Sequence, residues 1–400
     1  MRLRALLVAG ALAGGTVALP AARAEYPEVC FVGVEGVSRR ALVAATPAAD
    51  RAVASLVARL GGRVGARIEP VGVRHVELPS AAVRDAALAA LAATPGVRWA
   101  EPELAVAAHR SANDTYVRRQ WAVDRIGLRR AWDVTTGSAS VTVAVIDTGV
   151  AAGHPDLKGK VLPGIDVVND DEDASDDHGH GTHVAGTVAA ASNNRLGVTG
   201  VAWGVKVLPV KVLGAGGSGG TCDVLMGIVE AVRAGAHVLN LSLGVVSPCP
   251  LAFKAAVTYA TSEKRLIVAS SGNDGRQGGA SAAPANCDGV LGVGATNSAD
   301  KPTDFSTFGP QVDVAAPGEN ILSTTYDPKK RTYGYEFWSG TSMAAPHVAG
   351  LAALIRSKHA DWTPEQIAAA ITDTADDRGV PGRDDFFGAG RINAARALSR

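Results

Sequence analysis

The chain has 400 residues, with 39 Lys plus Arg against 39 Asp plus Glu, so its formal charge is zero and neither a basic nucleic-acid surface nor an acidic tail is indicated. Charged residues make up 20% and the hydrophobic set 47%, a folding composition in a chain long enough for two domains. Four Cys in this length exclude a small disulfide scaffold, and 46 Gly without a collagen period imply tight turns and close backbone approaches.

Residues 1–24 carry Arg2 and Arg4, an apolar run from Ala5 to Leu19, and Ala22-Arg23-Ala24. This reads as a secretory signal peptide cleaved after Ala24. A membrane anchor is the alternative, but the run is short and broken by Gly14-Gly15 and Pro20. No other stretch resembles a membrane span, so a secreted, extracellular protein without stable membrane association is expected. Oxidised cysteines are then allowed.

Residues 25–108 read as β-α-β-β-α-β, the ferredoxin-like order. The strands are Cys30–Val34, Val64–Ile68, Val71–Leu78 and Val97–Leu104, and the helices 47–60 and Ser80–Ala93. The first helix has Pro47 near its start and is stopped by Gly61-Gly62; the second is capped by Ser80. Residues 105–118 read as a linker and processing stretch. From about Gln120 the pattern changes to apolar runs of the kind that form buried parallel strands. They are Val141–Ile146, Val205–Val210, Val238–Leu241, Leu266–Ala269, Val290–Val293 and Val312–Val314. Helical stretches such as Val224–Ala234, Leu251–Ser262 and Met343–Ser357 lie between several of them, which predicts a doubly wound, mostly parallel α/β sheet with helices on both faces.

Four sequence elements carry chemistry. Asp147 ends the apolar strand 141–146 and precedes Thr148-Gly149, at the carboxyl end where α/β sheets collect ligands; alone it reads equally as a turn or cap residue. His178, His180 and His183 fall within six residues, but the spacing is not H-E-x-x-H and no Glu lies between them to serve as a base. Ser342 opens an apolar small-residue helix, whose start offers free N–H groups and the positive dipole end; a plain N-cap is its bland reading. Asn273, in Ser271-Gly272-Asn273 after the strand LIVAS, has a side-chain amide able to reach an oxyanion.

Together these stretches resemble the subtilisin-like serine proteases, most strongly the thermitase branch. The segments that match are VAVIDTGV around Asp147, His180–Gly186, Gly340–Gly350 and the A-x-G-N-like site of Asn273. The resemblance runs from about Asn113 to Ala397 and implies a serine endopeptidase of broad specificity. It makes Ser342 the nucleophile, His180 the base, Asp147 its orienting partner and Asn273 the oxyanion donor. It also implies that Gly217, Ser218 and Gly219, with Leu241, Ser242, Leu243 and Gly244, pair with an extended polypeptide substrate. Ala269, Ser270, Ser271 and Gly272 would line the first side-chain pocket, roomy enough for a large apolar group, with Asp274 nearby to admit a basic one. Residues 25–108 resemble the family's inhibitory propeptide and folding chaperone, its tail Ala100–Ala107 lying in the active site. The peptidase domain would be 109–400, the mature chain beginning within 106–114.

The same resemblance implies structural calcium. Asp114, Asp156, Asn194 and the carbonyls of Ala191, Leu196 and Val198 match one site, and Asp166, Asp171 and Asp173 suggest a second. A solvated acidic loop is the alternative for that second set, which lacks the EF-hand glycine and closing Glu. A Cys249–Cys287 disulfide is expected by the resemblance. Cys222 is expected as a buried small hydrophobe, and Cys30 falls in the propeptide. Oxidation of Met343, beside the nucleophile, is expected to lower activity. The rival classes are a silent binding module, which has no need of all four active-site residues, and a metal hydrolase built on the three histidines. No nucleic-acid partner is expected, and the chain is expected to be a monomer.

Overall fold

The computed structural model describes residues 37–104, 112–275 and 282–400, in two compact units, Met1–Ala107 and Ala108–Arg400. The signal peptide and the expected strand Cys30–Val34 lie outside the described residues, as do most of the propeptide tail's end and of the expected mature start.

The first unit runs β1 (Arg40–Ala45), α1 (Asp50–Arg59), β2 (Arg63–Ile68), β3 (Val73–Glu77), α2 (Ala81–Ala92) and β4 (Val97–Pro102). Its antiparallel sheet has the order β2-β3-β1-β4, the ferredoxin-like one. Among the described residues the first strand of this sheet is Arg40–Ala45, ten residues after the start of the expected Cys30–Val34 strand, which lies outside them. Ala41, Val43 and Ala45 alternate into the core with Val53 and Val57 of α1, Val76 of β3 and Leu91 of α2, the period-two burial that fixes strand register. Ser80 Oγ accepts from Val83 N, which starts α2 where the sequence indicated.

The second unit opens with short helices α3 (Trp121–Arg125) and α4 (Leu128–Val134). There follow β5 (Thr142–Asp147), β6 (Ile165–Asp166), α5 (His180–Ala189), β7 (Lys206–Lys211), α6 (Thr221–Arg233), β8 (Val238–Leu241), β9 (Val245–Val246), α7 (Leu251–Ser262) and β10 (Leu266–Ser270). The chain finishes with β11 (Ala282–Ala283), β12 (Val290–Thr296), β13 (Val314–Pro317), β14 (Ile321–Asp327), β15 (Thr332–Trp338), α8 (Thr341–Lys358), α9 (Pro364–Thr372) and α10 (Ala394–Ala397). Among the described residues the main sheet has seven strands, β13-β12-β10-β8-β5-β7-β6, and every pairing in it is parallel.

β5 shows why its sequence is almost wholly apolar. Val143 and Val145 pack on the α5 and α8 side with Val184, Val188, Val348 and Leu351. Ala144 and Ile146 pack on the α6 and α7 side with Val224, Ile228, Phe253 and Val257. Both faces are covered, so there is no polar face to alternate. Each fully buried Val or Ile contributes roughly 1.5–3 kcal/mol. The chain leaves β5 toward β7 on one side and later returns to β8 on its other side, so the strand order reverses at β5, and the carboxyl end of β5 carries Asp147.

Several strands depart from the sequence reading. The strand expected at 312–314 is Val314–Pro317, because Val312 N is taken by the turn carbonyl of Gly309. The antiparallel pair β14–β15 was not foreseen; its exposed residues Tyr333 and Phe337 break the apolar pattern of a buried strand.

Candidate active site

His180 is the first residue of α5 and Asp147 the last of β5. Their side chains meet, with His180 Nδ1 2.7 Å from Asp147 Oδ1. Thr148 N donates to the same carboxylate oxygen at 2.7 Å. Gly181 makes the approach possible: a Cβ there would stand 2.1 Å from the Gly149 carbonyl oxygen and 3.2 Å from Asp147 Cβ. The Asp147 side chain is fully buried while that of His180 keeps 19% exposure, so the carboxylate is shielded and the imidazole faces the cleft. Burial alone pushes the His180 imidazole down, but the charge and hydrogen bond of Asp147, with Asp176 behind it, outweigh this and leave it above its ordinary value.

The other two histidines have different surroundings. His183 is fully buried, with Nε2 3.0 Å from the Ile321 carbonyl, and its ring stacks on Trp338 at 5.0 Å. Burial, aided by the neighbouring His180, pushes it down to about 3, so it stays neutral. His178 lines the cleft. Among the described residues no group of three or more His, Cys, Asp or Glu side chains converges as in a metal site.

Ser342 is the second residue of α8. It shares with His180 a cleft of about 410 Å3. Ser342 Oγ donates to the Ser242 carbonyl at 3.1 Å, and Ser242 Oγ donates to the Ser342 carbonyl at 2.9 Å. The serine hydroxyl thus has Ser242 as its partner here, in keeping with the looser contacts of substrate-free sites. Asn273 is oriented by Thr341, whose backbone N–H and hydroxyl both donate to Asn273 Oδ1, at 2.8 and 2.9 Å. A backbone N–H is only ever a donor, so the atom facing it must be the amide oxygen. The amide nitrogen is left beside Gly340 and the Ser342 N–H: a Cβ on Gly340 would lie 3.5 Å from Asn273 Nδ2 and 3.7 Å from Ser342 N. Two N–H donors so arranged can stabilise an oxyanion.

Gly217, Ser218, Gly219, Ser242, Leu243 and Gly244 line the same cleft. Leu241, Ser270 and Ser271 are buried and Gly272 half-buried, and none of these four is among its lining residues. Ser271 Oγ donates to the Thr307 carbonyl at 2.9 Å and Gly272 N to Thr341 Oγ1 at 3.2 Å, so this segment holds Asn273 in place. Asp274 is exposed, and its N–H donates to Thr307 Oγ1. Met343 is buried beneath Ser342 in the sequence of α8. Cys249 and Cys287 form a disulfide with Cα atoms 5.2 Å apart. Cys222 is an exposed free thiol, not the buried hydrophobe expected of it. Val224, Gly227, Ile228 and Ala231 make the buried stripe of α6, and position 222 falls off it.

Sequence reasoning missed two supports of the site. Asp176, 3% exposed, accepts hydrogen bonds from Thr148, His178, Gly179 and Thr182. Lys211, 1% exposed, donates to the carbonyls of Thr148 and Leu213 and pairs with Asp177 at 2.7 Å. The charge in VKVL within an apolar strand was the available signal for Lys211; in DVVNDDEDASDD nothing separates Asp176 from its neighbours.

The two acidic sets differ. Asp114 and Asp156 are buried, and among the described residues no Lys or Arg pairs with either. Asp114 Oδ1 and Oδ2 accept from Asn194 N and Asn193 N, and Asp156 Oδ1 and Oδ2 from Asn194 Nδ2 and Val198 N. Ala191 N donates to the Asp156 carbonyl, and the Leu196 carbonyl accepts from Thr115 N. Burial first, and then the charge of Asp156, push the Asp114 carboxyl up. Two buried carboxylates without a counter-charge, on segments rich in carbonyls, fit a hard divalent cation. Asp166, Asp171 and Asp173 do not fit one. Asp166 accepts from Val168 N, Asn169 N and Asn169 Nδ2, while Asp171 and Asp173 are exposed and cap their own loop at Asp173 N and Ser175 N.

Comparison with known proteins bears on the whole framework. Residues 138–390 match the subtilase family, and residues 45–103 match the fervidolysin N-terminal prodomain. Thermitase of Thermoactinomyces vulgaris is 41% identical, over 72% of this chain and 98% of its own length. An extracellular protease of Xanthomonas campestris is 38% identical, over 77% of this chain and 60% of its own length. The solved structure of a protease from Pseudoalteromonas arctica superposes with a TM-score of 0.67 at 36% identity, covering 72% of this chain and 99% of that one. The family match spans the segments that carry Asp147, His180, Asn273 and Ser342, and on that ground the chain belongs to the subtilase family of serine proteases, with a fervidolysin-like prodomain ahead of its peptidase domain.

Proposed function

We propose that this protein is a secreted serine endopeptidase of broad specificity, made as a precursor and matured by its own activity. The observation that carries the reading is the 2.7 Å contact of His180 with buried Asp147 in the cleft that also holds Ser342. In the reaction, Ser342 Oγ turns from Ser242 to the scissile carbonyl and His180 takes its proton. Asp147 keeps the imidazole in the useful tautomer and stabilises its charged form. The negative charge growing on the carbonyl oxygen meets Asn273 Nδ2 and the Ser342 N–H. His180 then protonates the leaving amine, and water activated by the same imidazole releases the acid from the acyl-enzyme.

A polypeptide substrate lies extended between the Gly217–Gly219 and Ser242–Gly244 segments, bound chiefly through its main chain, which asks little of its sequence. Residues 1–24 direct export, residues 25–108 inhibit the enzyme and assist its folding, and 109–400 form the peptidase. Calcium is structural in this reading. Asp114, Asp156 and Asn194 with neighbouring carbonyls would hold it, and its charge would offset two buried carboxylates.

The test is intact-mass analysis of the purified protein, wild type beside Ser342→Ala, with and without a fluorophosphonate probe. The wild type should lose its first hundred or so residues and gain one adduct, while Ser342→Ala stays long and unlabelled. A full-length, unlabelled wild type in the presence of calcium would sink the proposal.

A further inference from the structure

We infer that Asp176 is a positioning residue for His180, a buried carboxylate that fastens the start of the histidine helix to the end of the strand carrying Asp147. The inference rests on the catalytic reading of His180 above.

α5 begins at His180, and its N-cap, Gly179, has no side chain with which to cap it. The first-turn N–H groups of a helix need acceptors, and an anion is favoured there. Asp176 supplies both. Its Oδ1 accepts from His178 N at 3.0 Å and Gly179 N at 2.8 Å, and its Oδ2 from Thr182 N at 2.9 Å. Two hydroxyls extend the bond across to the strand. Thr148 Oγ1 donates to Asp176 Oδ1 at 2.8 Å and accepts from Gly181 N at 2.9 Å. Thr182 Oγ1 donates to Asp176 Oδ2 at 2.5 Å and accepts from Ala151 N at 3.0 Å. The residues that flank Asp147 and those that flank His180 are thus tied through one carboxylate.

Among the described residues Asp176 forms no ion pair. A buried carboxylate without a cation is costly, and neutral Ser, Thr or Asn side chains cap many helices without that cost. The retained negative charge has a use beside His180: it favours the imidazolium that forms when Ser342 gives up its proton. The ionisable groups around His180 are Asp147 on β5, Asp176 and His178 on the loop before α5, and His183 on α5 itself. Lys211 is matched by Asp177 at 2.7 Å and holds the Thr148 carbonyl from the other side at 2.9 Å.

The experiment uses mature enzyme from the full-length precursor, with active sites counted by fluorophosphonate. The variants are Asp176→Asn, Thr148→Val and Thr148→Ser. Asn keeps the size but turns an N–H2 toward donors, so kcat should fall by roughly 10- to 100-fold, the scale of a small misplacement of a reacting group. KM should stay within about two-fold, and the acid limb of kcat/KM should move to lower pH, because the imidazolium loses a favourable charge. Thr148→Val removes only the bridging hydroxyl and should lower kcat in the same sense, whereas Thr148→Ser should restore it. This pair decides the matter if Asp176→Asn fails to mature. The inference is overturned if titrated Asp176→Asn keeps the wild-type acid limb, or if Thr148→Val and Thr148→Ser behave alike. A wild type that takes no probe refutes the catalytic reading instead.

Discussion

Removing the Cys249–Cys287 bridge separates stability from catalysis in this fold. The bridge closes a loop of 38 residues, and chain-entropy arithmetic for that length gives about 4 kcal/mol of stabilisation through the unfolded state. Spread over the roughly 2.1 cal/mol/K per residue of a domain of about 290 residues, the loss corresponds to a fall in Tm of about 6–7 °C. The loop contains β10 and Asn273, yet Asn273 is held from outside it by the N–H and hydroxyl of Thr341. Catalysis at 25 °C should therefore change by less than about two-fold, under about 0.4 kcal/mol in barrier height. The assay compares wild type with Cys249→Ser/Cys287→Ser. Both are matured and then inactivated with a phosphonyl reagent so that autolysis cannot distort the calorimetric trace, and kcat is measured beforehand on titrated sites. A Tm within about 1 °C of wild type, with the bridge verified there by mass, would refute the entropic account. A collapse of kcat at 25 °C would instead show that Thr341 does not suffice to hold Asn273.

Asn273→Leu should lower kcat by about 10²–10³-fold with little change in KM, the usual cost of one lost oxyanion donor; a raised KM with kcat unchanged would mean that Asn273 binds substrate rather than transition state. His183 and His347 are buried and held neutral, their values pushed by burial down to about 3 and about 4 from 6.5. The unfolded chain binds these protons first, so stability should be complete above pH 6.5 and fall as pH drops from there toward 4 and 3. A denaturant midpoint that stays level across that window would contradict the assignment. Chelation should lower the Tm of the mature protein, and Asp156→Asn should abolish most of the chelator's effect. A Tm indifferent to chelator in wild type would remove calcium from the account.

Most of the framework could be read from local pattern because one physical device repeats along the chain. Both faces of the main sheet are covered, so its strands are plain apolar runs, and β8 and α7 fall at the positions their sequences suggest, Val238–Leu241 and Leu251–Ser262. β14–β15 lacked that device. β15 is largely exposed, and its Tyr333, Tyr335 and Phe337 alternate with Thr332, Gly334 and Glu336, a short period-two pattern rather than an apolar run. In the first unit, β1 (Arg40–Ala45) begins with a charge, which hides it in an apolar reading; the arginine is nonetheless 4% exposed.

The candidate site divides along a similar line. Asp147, His180, Asn273 and Ser342 stand in segments whose small residues are demanded by close approach, as Gly181 against Gly149 illustrates, and such segments leave a long and specific signature. Asp176 and Lys211 leave none of that length. Each acts largely through backbone groups, the N–H groups of His178, Gly179 and Thr182 for Asp176 and the Thr148 and Leu213 carbonyls for Lys211, and backbone groups are the same at every position in a sequence. Only the folded chain distinguishes Asp176 from Asp171 and Asp173 nearby, which cap their own exposed loop. A carboxylate whose donors all come from the flanks of Asp147 and His180 is a feature of three-dimensional register. Its effect is therefore to be sought in the pH profile of His180 and in kcat.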